Sequence, residues 1–178
     1  MKKRRGISPV LRICITAMLV AMSVVIGIIC RRIDFGNGIR ITFENLPLII
    51  VGLMFGPIYG AMAGAISDII SCIYSAYAPN PLILLGAALM GAIPGIVSRF
   101  IFKRRSSVQI LVSVVAAHLI GSVTVKTLGL VSMYSWGIVF TRIPVCLLIM
   151  AIELVIILLL FSKVAFRKLL IKFDGGKR

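Results

Sequence analysis

The chain has few acidic residues, one histidine, one tryptophan and no motif of a known catalytic site. Five Asp and Glu residues stand against twenty Lys and Arg residues, which gives a formal net charge of +15. The four cysteines occur singly, without the paired spacing of a disulfide framework or a zinc site. The sequence contains no nucleophile elbow, HExxH pair, Walker lysine loop or glycine-rich dinucleotide turn. We therefore expect no enzyme, no metal and no cofactor.

Apolar residues dominate instead. They make up 60% of the 178 residues, and the mean hydropathy is +1.12. This composition excludes an ordinary water-soluble globular domain. Because the basic residues cluster between long apolar runs, they indicate membrane topology and not a nucleic-acid surface. The sequence predicts one all-α, multi-pass integral membrane domain over residues 1–178.

The basic clusters determine the expected topology. Fifteen of the twenty basic residues lie at 2–12, 99–105 and 163–178. Lys and Arg prefer the cytoplasmic side of a membrane, so an even number of spans should separate successive clusters. The apolar stretch 44–98 could hold two spans divided at Asp68 or three divided at Pro57 and near 79–81, and only three spans give an even count. We therefore predict six transmembrane helices with both termini cytoplasmic, at about 13–30, 44–56, 57–78, 82–102, 106–125 and 142–161.

Glycine recurs every fourth residue through the second and third predicted spans. Gly52, Gly56, Gly60 and Gly64 keep this register, and Asp68 is the next position in it. Small residues at this spacing let membrane helices approach closely, which is the expected role of most of these glycines. An ionisable group at membrane depth is costly and usually faces a cavity or a partner. Asp68 is therefore either a ligand-binding carboxylate or one member of a buried ion pair.

The predicted outer side carries cations that the topology rule does not explain. Its loops are expected at 31–43, 77–81 and 126–141, and its basic residues are Arg31, Arg32, Arg40, Lys126 and Arg142. These side chains could extend to lipid headgroups, or they could bind an anionic ligand. We take Arg40, Lys126 and Arg142 as candidate ligand-binding residues.

Aromatic and buried polar residues complete the candidate site. Tyr74, Tyr77 and Trp136 could stack on a flat ring, although Trp136 also suits the membrane interface. His118 is expected to be a hydrogen-bonded packing residue, and Glu153 is expected to have a partner on another helix.

Several of these stretches together resemble a known family, the substrate-binding S components of energy-coupling-factor (ECF) vitamin transporters, and within it the folate members. The resemblance is carried by RITFENLPLIIVGLMFGPIYGAMAGAISD at 40–68 and continues through PNPLILLGAALMGAIPGIVSRF, KTLGLVSMY and RIPVCLLIM. It implies a six-helix membrane protein that binds a vitamin from outside with high affinity. It also implies work with a transmembrane T component and two ATPase subunits, and a toppling motion in the bilayer.

The resemblance further implies a docking motif and a ligand class. Ala17 and Ala21 match the AxxxA motif of the first helix, through which S components dock on the T component. Folate has a pterin ring and a glutamate with two carboxylates, which suits an acid, aromatics and outward cations. Pantothenate, a smaller anionic vitamin, is the alternative ligand, and a membrane scaffold without transport activity is the alternative function.

The predicted topology can be tested by labelling from outside the cell. Single cysteines in place of Asn37 and Ser135 should react with a membrane-impermeant reagent, because both positions lie in predicted outer loops. A cysteine in place of Ser106, in a predicted cytoplasmic cluster, should not react. Labelling at Ser106 would overturn the topology.

Overall fold

The computed structural model describes residues 8–31, 42–75, 80–101, 107–133 and 136–162, and all regular structure within these ranges is helical. The helices are α1 (Pro9–Arg31), α2 (Asn45–Phe55), α3 (Pro57–Ser75), α4 (Pro81–Ile96), α5 (Ser107–Ala117), α6 (Thr127–Val131) and α7 (Gly137–Ser162). There are also two π-helical segments. The first, Val97–Ile101, extends α4, and the second, His118–Lys126, connects α5 to α6. The predicted all-α membrane fold is confirmed.

Among the described residues, five helical stretches are long and apolar enough to cross a bilayer, namely Pro9–Cys30, Pro57–Tyr74, Pro81–Ile101, Ser107–Val131 and Arg142–Ser162. Helix α2, at the position of the predicted second span, is shorter. Its 11 residues give a length of about 16 Å, against a hydrocarbon core of about 30 Å. The orientation of the termini stays a prediction.

Helix α2 lies at the centre of the bundle. Nearly all of its side chains are buried, including Leu48, Ile49 and Val51, and it packs against α1, α3 and α4. A helix that is hydrophobic on all sides is stable only when neighbours or lipid surround it. The other helices therefore enclose α2, and its length does not have to match the membrane.

The glycine repeat forms the closest helix contact, between α3 and α4. The α-carbon of Gly60 faces the carbonyl of Gly91, and the α-carbon of Gly91 faces the carbonyl of Gly60, with no room for a Cβ at either position. Gly64 meets the backbone at Ala87 in the same way. We call this contact the glycine seam. The close packing predicted from the four-residue spacing is confirmed.

A tight turn at Gly56 connects α2 to α3. Gly56 has a φ of +97°, a conformation that side chains with a Cβ rarely adopt. The Arg99 Nη2 donates a hydrogen bond to the Phe55 carbonyl at 3.1 Å, and its guanidinium lies where a Cβ of Gly56 would be. Pro57 starts α3, where the missing N–H removes no helical hydrogen bond. The turn thus joins two helices without an intervening loop.

Helical structure continues beyond the predicted end of the fifth span at residue 125. Thr124 and Thr127 donate hydroxyl hydrogen bonds to the carbonyls of Leu119 and Ser122, five residues earlier, at 2.8 and 3.1 Å. These bonds give the two threonine hydroxyls partners within the helix. The helix therefore carries Lys126 inside the bundle, whereas the sequence placed this residue in an outer loop.

The glycine seam predicts an unusual response to a small substitution. Gly→Ala inside a helix normally stabilises by roughly 0.5–1 kcal/mol, but Gly91→Ala should destabilise the protein by about 1–3 kcal/mol, because the new methyl group meets the Gly60 carbonyl. Thermal unfolding in detergent measures the effect. Gly137→Ala, at an exposed position, is the control and should leave the melting temperature within about a degree of wild type or raise it. An unchanged melting temperature in Gly91→Ala would contradict the contact.

Candidate ligand-binding site

Lys126 lies inside one end of the bundle, which also carries the start of α2. The predicted topology places this end outside, and we call it the outer end. The side chain of Lys126 is 7% exposed, and its Nζ donates a hydrogen bond to Asn45 Oδ1 at 3.3 Å. The same Nζ is 4.0 Å from Glu44 Oε1. Gly86 makes room for the lysine stem, because a Cβ there would lie 2.5 Å from Lys126 Cγ. We call Glu44, Asn45 and Lys126 the outer polar cluster.

Helices α1 and α3 hold the start of α2 in place. The Ser23 hydroxyl donates to the Glu44 carbonyl at 2.6 Å and lies 3.0 Å from the Ser67 hydroxyl. The carboxylate of Glu44 packs against Gly27, where a Cβ would lie 2.6 Å from Oε2. Because Ser23, Ser67 and Gly27 fix Glu44 from two helices, its carboxylate stays directed at the lysine.

The π-helical segment His118–Lys126 directs three buried polar side chains into the bundle. His118, Ser122 and Lys126 are spaced four residues apart and are each less than 10% exposed. The Ser122 hydroxyl lies 3.6 Å from Cys146 Sγ on α7. Long π-helical stretches are rare and often occur at functional sites. The segment therefore marks this side of the bundle as the candidate site.

His118 and Glu153 form a buried pair between this segment and α7. The His118 Nε2 is 2.8 Å from Glu153 Oε2, and the two side chains are 1% and 0% exposed. The remaining polar atoms, His118 Nδ1 and Glu153 Oε1, are buried without a hydrogen-bond partner in the structure. The expected interhelical partner of Glu153 is confirmed, and so is the hydrogen bond expected for His118.

Asn80 connects the start of α4 to the same end of the bundle. Its Oδ1 accepts a hydrogen bond from the Leu82 N–H at 2.9 Å, which caps the helix. Its Nδ2 donates to the Gly129 carbonyl at 3.1 Å and to the Ser132 hydroxyl at 3.2 Å. The bonds fix the end of α6 against α4, so the outer polar cluster has a rigid wall on this side.

The other predicted ligand residues take different positions. Arg142 is half-buried, and its Nε is buried without a partner in the structure. Asp68 is half-buried and engages a further group of the protein; its helix α3 packs against α1, α2 and α4. Tyr74 is 65% exposed and Trp136 is 72% exposed. Two more candidates lie outside the described residues, Arg40 and Tyr77.

The structure also shows polar residues that the sequence did not assign to the site. Glu44, Asn45, His118 and Glu153 were not among the candidate ligand residues. The sequence did contain a signal for the two acids, Glu44 and Glu153. A carboxylate at membrane depth is costly, and this cost applies to both of them as it does to Asp68. Within the described ranges, no three His, Cys, Asp or Glu side chains are grouped to hold a metal ion.

The predicted docking residues lie on the surface of the bundle. Ala17 and Ala21 are both exposed on α1, one helical turn apart and hence on one face. Around them, Ile13, Met18 and Val25 are also more than half exposed. This face of α1 is available to lipid or to another helix.

Comparisons with known proteins give a structural neighbour and a partial sequence relative. A structure titled "Crystal structure of FolT bound with folic acid" superposes with a TM-score of 0.65, covering 82% of this chain and 91% of that one, at 20% sequence identity. The similarity at this identity shows a shared fold. A Mycoplasma pneumoniae (strain ATCC 29342 / M129 / Subtype 1) protein named "Uncharacterized protein MG098 homolog" is 33% identical over 90 residues. Those residues are 51% of this chain but 19% of that relative, so the chain spans about a fifth of its length.

The family comparison covers nearly the whole chain. The family model described as "ECF transporter, substrate-specific component" matches residues 11–164, which include every described helix from the third residue of α1 to the end of α7. The family consists of transporter components, in agreement with the apolar helices and the buried polar groups of the bundle. The chain therefore belongs to the family of substrate-specific components of ECF transporters.

Proposed function

We propose that the protein is the vitamin-binding component of an ATP-driven uptake transporter in the bacterial plasma membrane, and that its ligand is folate or a closely related vitamin. The family supports a substrate-binding role. The shared fold with FolT, whose structure contains folic acid, supports a ligand of that kind. The observation that carries the proposal is the pair of cationic side chains at the outer end, Lys126 and Arg142.

These two cations suit an anionic ligand. An arginine with a buried, unpartnered Nε retains N–H donors that match a carboxylate in geometry and charge. The carboxylate of Glu44 balances most of the positive charge of Lys126. Lys126 therefore contributes an N–H hydrogen-bond donor in a fixed direction more than a net charge. The glutamate of folate has two carboxylates, and Arg142 is the group that we assign to them. Arg40 is proposed to assist from the segment before α2.

The remaining candidates are proposed to contact the ring of the vitamin. Tyr74, Tyr77 and Trp136 would stack on its faces, and a buried carboxylate, for which the sequence analysis named Asp68, would accept hydrogen bonds from its N–H groups. Pantothenate has a carboxylate but no aromatic ring, so it would use the cations alone. A scaffold would bind neither ligand, and binding measurements therefore separate the three possibilities.

Transport requires partners that supply energy. The exposed alanines on α1 are proposed to form the surface on which a transmembrane T component docks, since small side chains let another helix approach closely. Two ATPase subunits would complete the transporter. The docking surface and the outer polar cluster involve different residues, so binding and uptake should be separable.

The assignment of Arg142 can be tested with two ligands. Arg142→Gln should weaken folic acid binding by roughly 1.5–3 kcal/mol, the range for hydrogen bonds to charged groups. It should have a smaller effect on pteroic acid, which lacks the two carboxylates of the glutamate and keeps one carboxylate on its benzoate ring. Pteroic acid should accordingly bind the wild type more weakly than folic acid does. Isothermal titration with the purified protein measures all four affinities.

Arg12→Gln is the matched control for this measurement. Arg12 lies near the start of α1, and its Nε is also buried without a partner in the structure, but it is at the opposite end of the bundle. Its substitution should leave both affinities unchanged. Equal binding of the two ligands by wild-type protein, or unchanged folic acid binding by Arg142→Gln, would refute the role of the cation.

Docking can be tested separately from binding. Ala17→Trp combined with Ala21→Trp should abolish vitamin uptake by cells, because two indole rings prevent close approach of another helix. Folic acid binding by the isolated protein should stay near wild type, since both alanines are exposed. The paired measurements are radiolabelled uptake and affinity in detergent.

Ala151→Trp controls for bulk on a membrane-facing surface, because Ala151 is an exposed alanine on α7. This variant should retain both activities. Normal uptake by the double variant on α1 would exclude this face as the docking surface. Loss of ligand binding together with uptake would indicate that the alanines have a packing role within the protein.

A further inference from the structure

The His118–Glu153 pair lies in the middle of the membrane domain. His118 is near the middle of the stretch Ser107–Val131, and Glu153 is near the middle of Arg142–Ser162. Their contact at 2.8 Å uses one polar atom from each side chain. The other two atoms, Nδ1 and Oε1, are fully buried without a partner in the structure. The pair therefore has an unused hydrogen-bonding capacity at a depth where water does not supply partners.

Such unused capacity is costly unless something completes it. A buried polar group without a hydrogen bond loses free energy of order 1–3 kcal/mol in proteins, and a charged group loses more. Buried ion pairs that only hold helices together can often be replaced by apolar residues of similar size with little loss of stability. A pair retained with two unsatisfied atoms is instead suited to a group that arrives from outside the chain.

We propose that Glu153, held by His118, accepts hydrogen bonds from the N–H groups on the ring edge of the ligand, and so forms the floor of the binding site. The inference rests on the proposed function. When His118 Nε2 carries the proton, it donates a hydrogen bond to Glu153 Oε2. The glutamate then still has free lone pairs on Oε1. A 2-amino-4-oxo heterocycle presents adjacent N–H donors along one edge, and a carboxylate accepts such a pair in a bidentate arrangement.

The outer polar cluster connects this floor to the outer end. Lys126 is on the same π-helical segment as His118, eight residues further along the chain. A ligand with a carboxylate at Arg142 and a polar ring edge at Glu153 would therefore extend along the side of the segment that carries the buried polar residues.

Glu153 suits this role better than Asp68. Asp68 already engages another group of the protein, whereas Glu153 has a buried oxygen without a partner. In addition, Glu153 shares α7 with Arg142, and α7 packs against α2, α5, α6 and the π-helical segment, whereas Asp68 is on α3, which packs against α1, α2 and α4.

The test is to replace the pair without leaving a buried charge. His118→Leu combined with Glu153→Leu removes both polar groups, so the melting temperature of the protein without ligand should stay the same or rise. Affinity should fall about 10- to 150-fold for folic acid, the loss expected for hydrogen bonds to a charged group. It should fall by the same factor for pteroic acid, because both ligands carry the ring. Titration and thermal unfolding of the purified full chain give these values.

A second variant covers the case in which the double variant does not fold. Glu153→Gln keeps the size of the side chain and can still accept the His118 hydrogen bond, but it presents an N–H group to the ligand in place of an acceptor. It should show the same loss for both ligands. Ser113→Ala is the matched control, because it removes a buried serine hydroxyl on α5 that donates only to the Gln109 carbonyl of its own helix, and it should leave both affinities within about twofold of wild type.

The outcomes separate the inference from the proposed function. Wild-type affinity in the Leu–Leu or Gln variants overturns the role of Glu153, and loss of affinity in Asp68→Asn alone assigns the ring edge to Asp68 instead. An equal loss in Ser113→Ala means that removing any buried hydroxyl from the bundle disturbs binding, which also overturns the inference. If the wild type binds neither folic nor pteroic acid, the proposed vitamin class fails, and the inference fails with it.

Discussion

The bundle depends on one constraint: a polar group within the membrane must find its partner inside the protein. Water is not available there, so each buried donor or acceptor without a partner is costly. The structure meets this constraint at three levels. Glycines let the backbones of α3 and α4 touch, serine and threonine hydroxyls satisfy carbonyl groups, and side chains such as Lys126 and Asn45 pair across helices. Buried polar atoms that still have no partner, such as Glu153 Oε1, are then candidates for contact with a ligand.

The same constraint explains how a short helix can occupy the centre. Helix α2 is too short to cross the membrane, yet its first residues make contacts that a loop at the lipid surface would not need. Glu44 is held by α1, and Asn45 receives the Lys126 hydrogen bond. The neighbours of α2 shield its ends from lipid, and in return α2 supplies the acid and the amide that allow a lysine to be buried. The burial of Lys126 and the central position of the short helix therefore depend on each other.

Much of the fold could be predicted from the sequence, because length, hydropathy and glycine spacing report on local and pairwise packing. The break at Pro57 and the close approach of α3 and α4 follow from particular residues in this way. The polar site was harder, since pairing between His118 and Glu153 joins residues 35 positions apart and leaves no periodic signal. The π-helical segment was also hidden: it carries Lys126, which the sequence placed in a loop, into the bundle, and hydropathy does not distinguish a loop from such a helix. Arg40 and Tyr77, outside the described residues, stay predictions.

The glycine seam limits where the bundle can change shape. Backbones in direct contact cannot slide or tilt without collision, so α3 and α4, with α2 enclosed beside them, form one stiff block. Helices α1 and α7 have less of their apolar surface buried within the protein and are joined to the rest through side chains, such as Ser23 on α1 and Cys146 on α7. We therefore expect any change of shape to involve α1 and α7 more than this block, and a ligand that reaches Glu153 would contact one of these two helices.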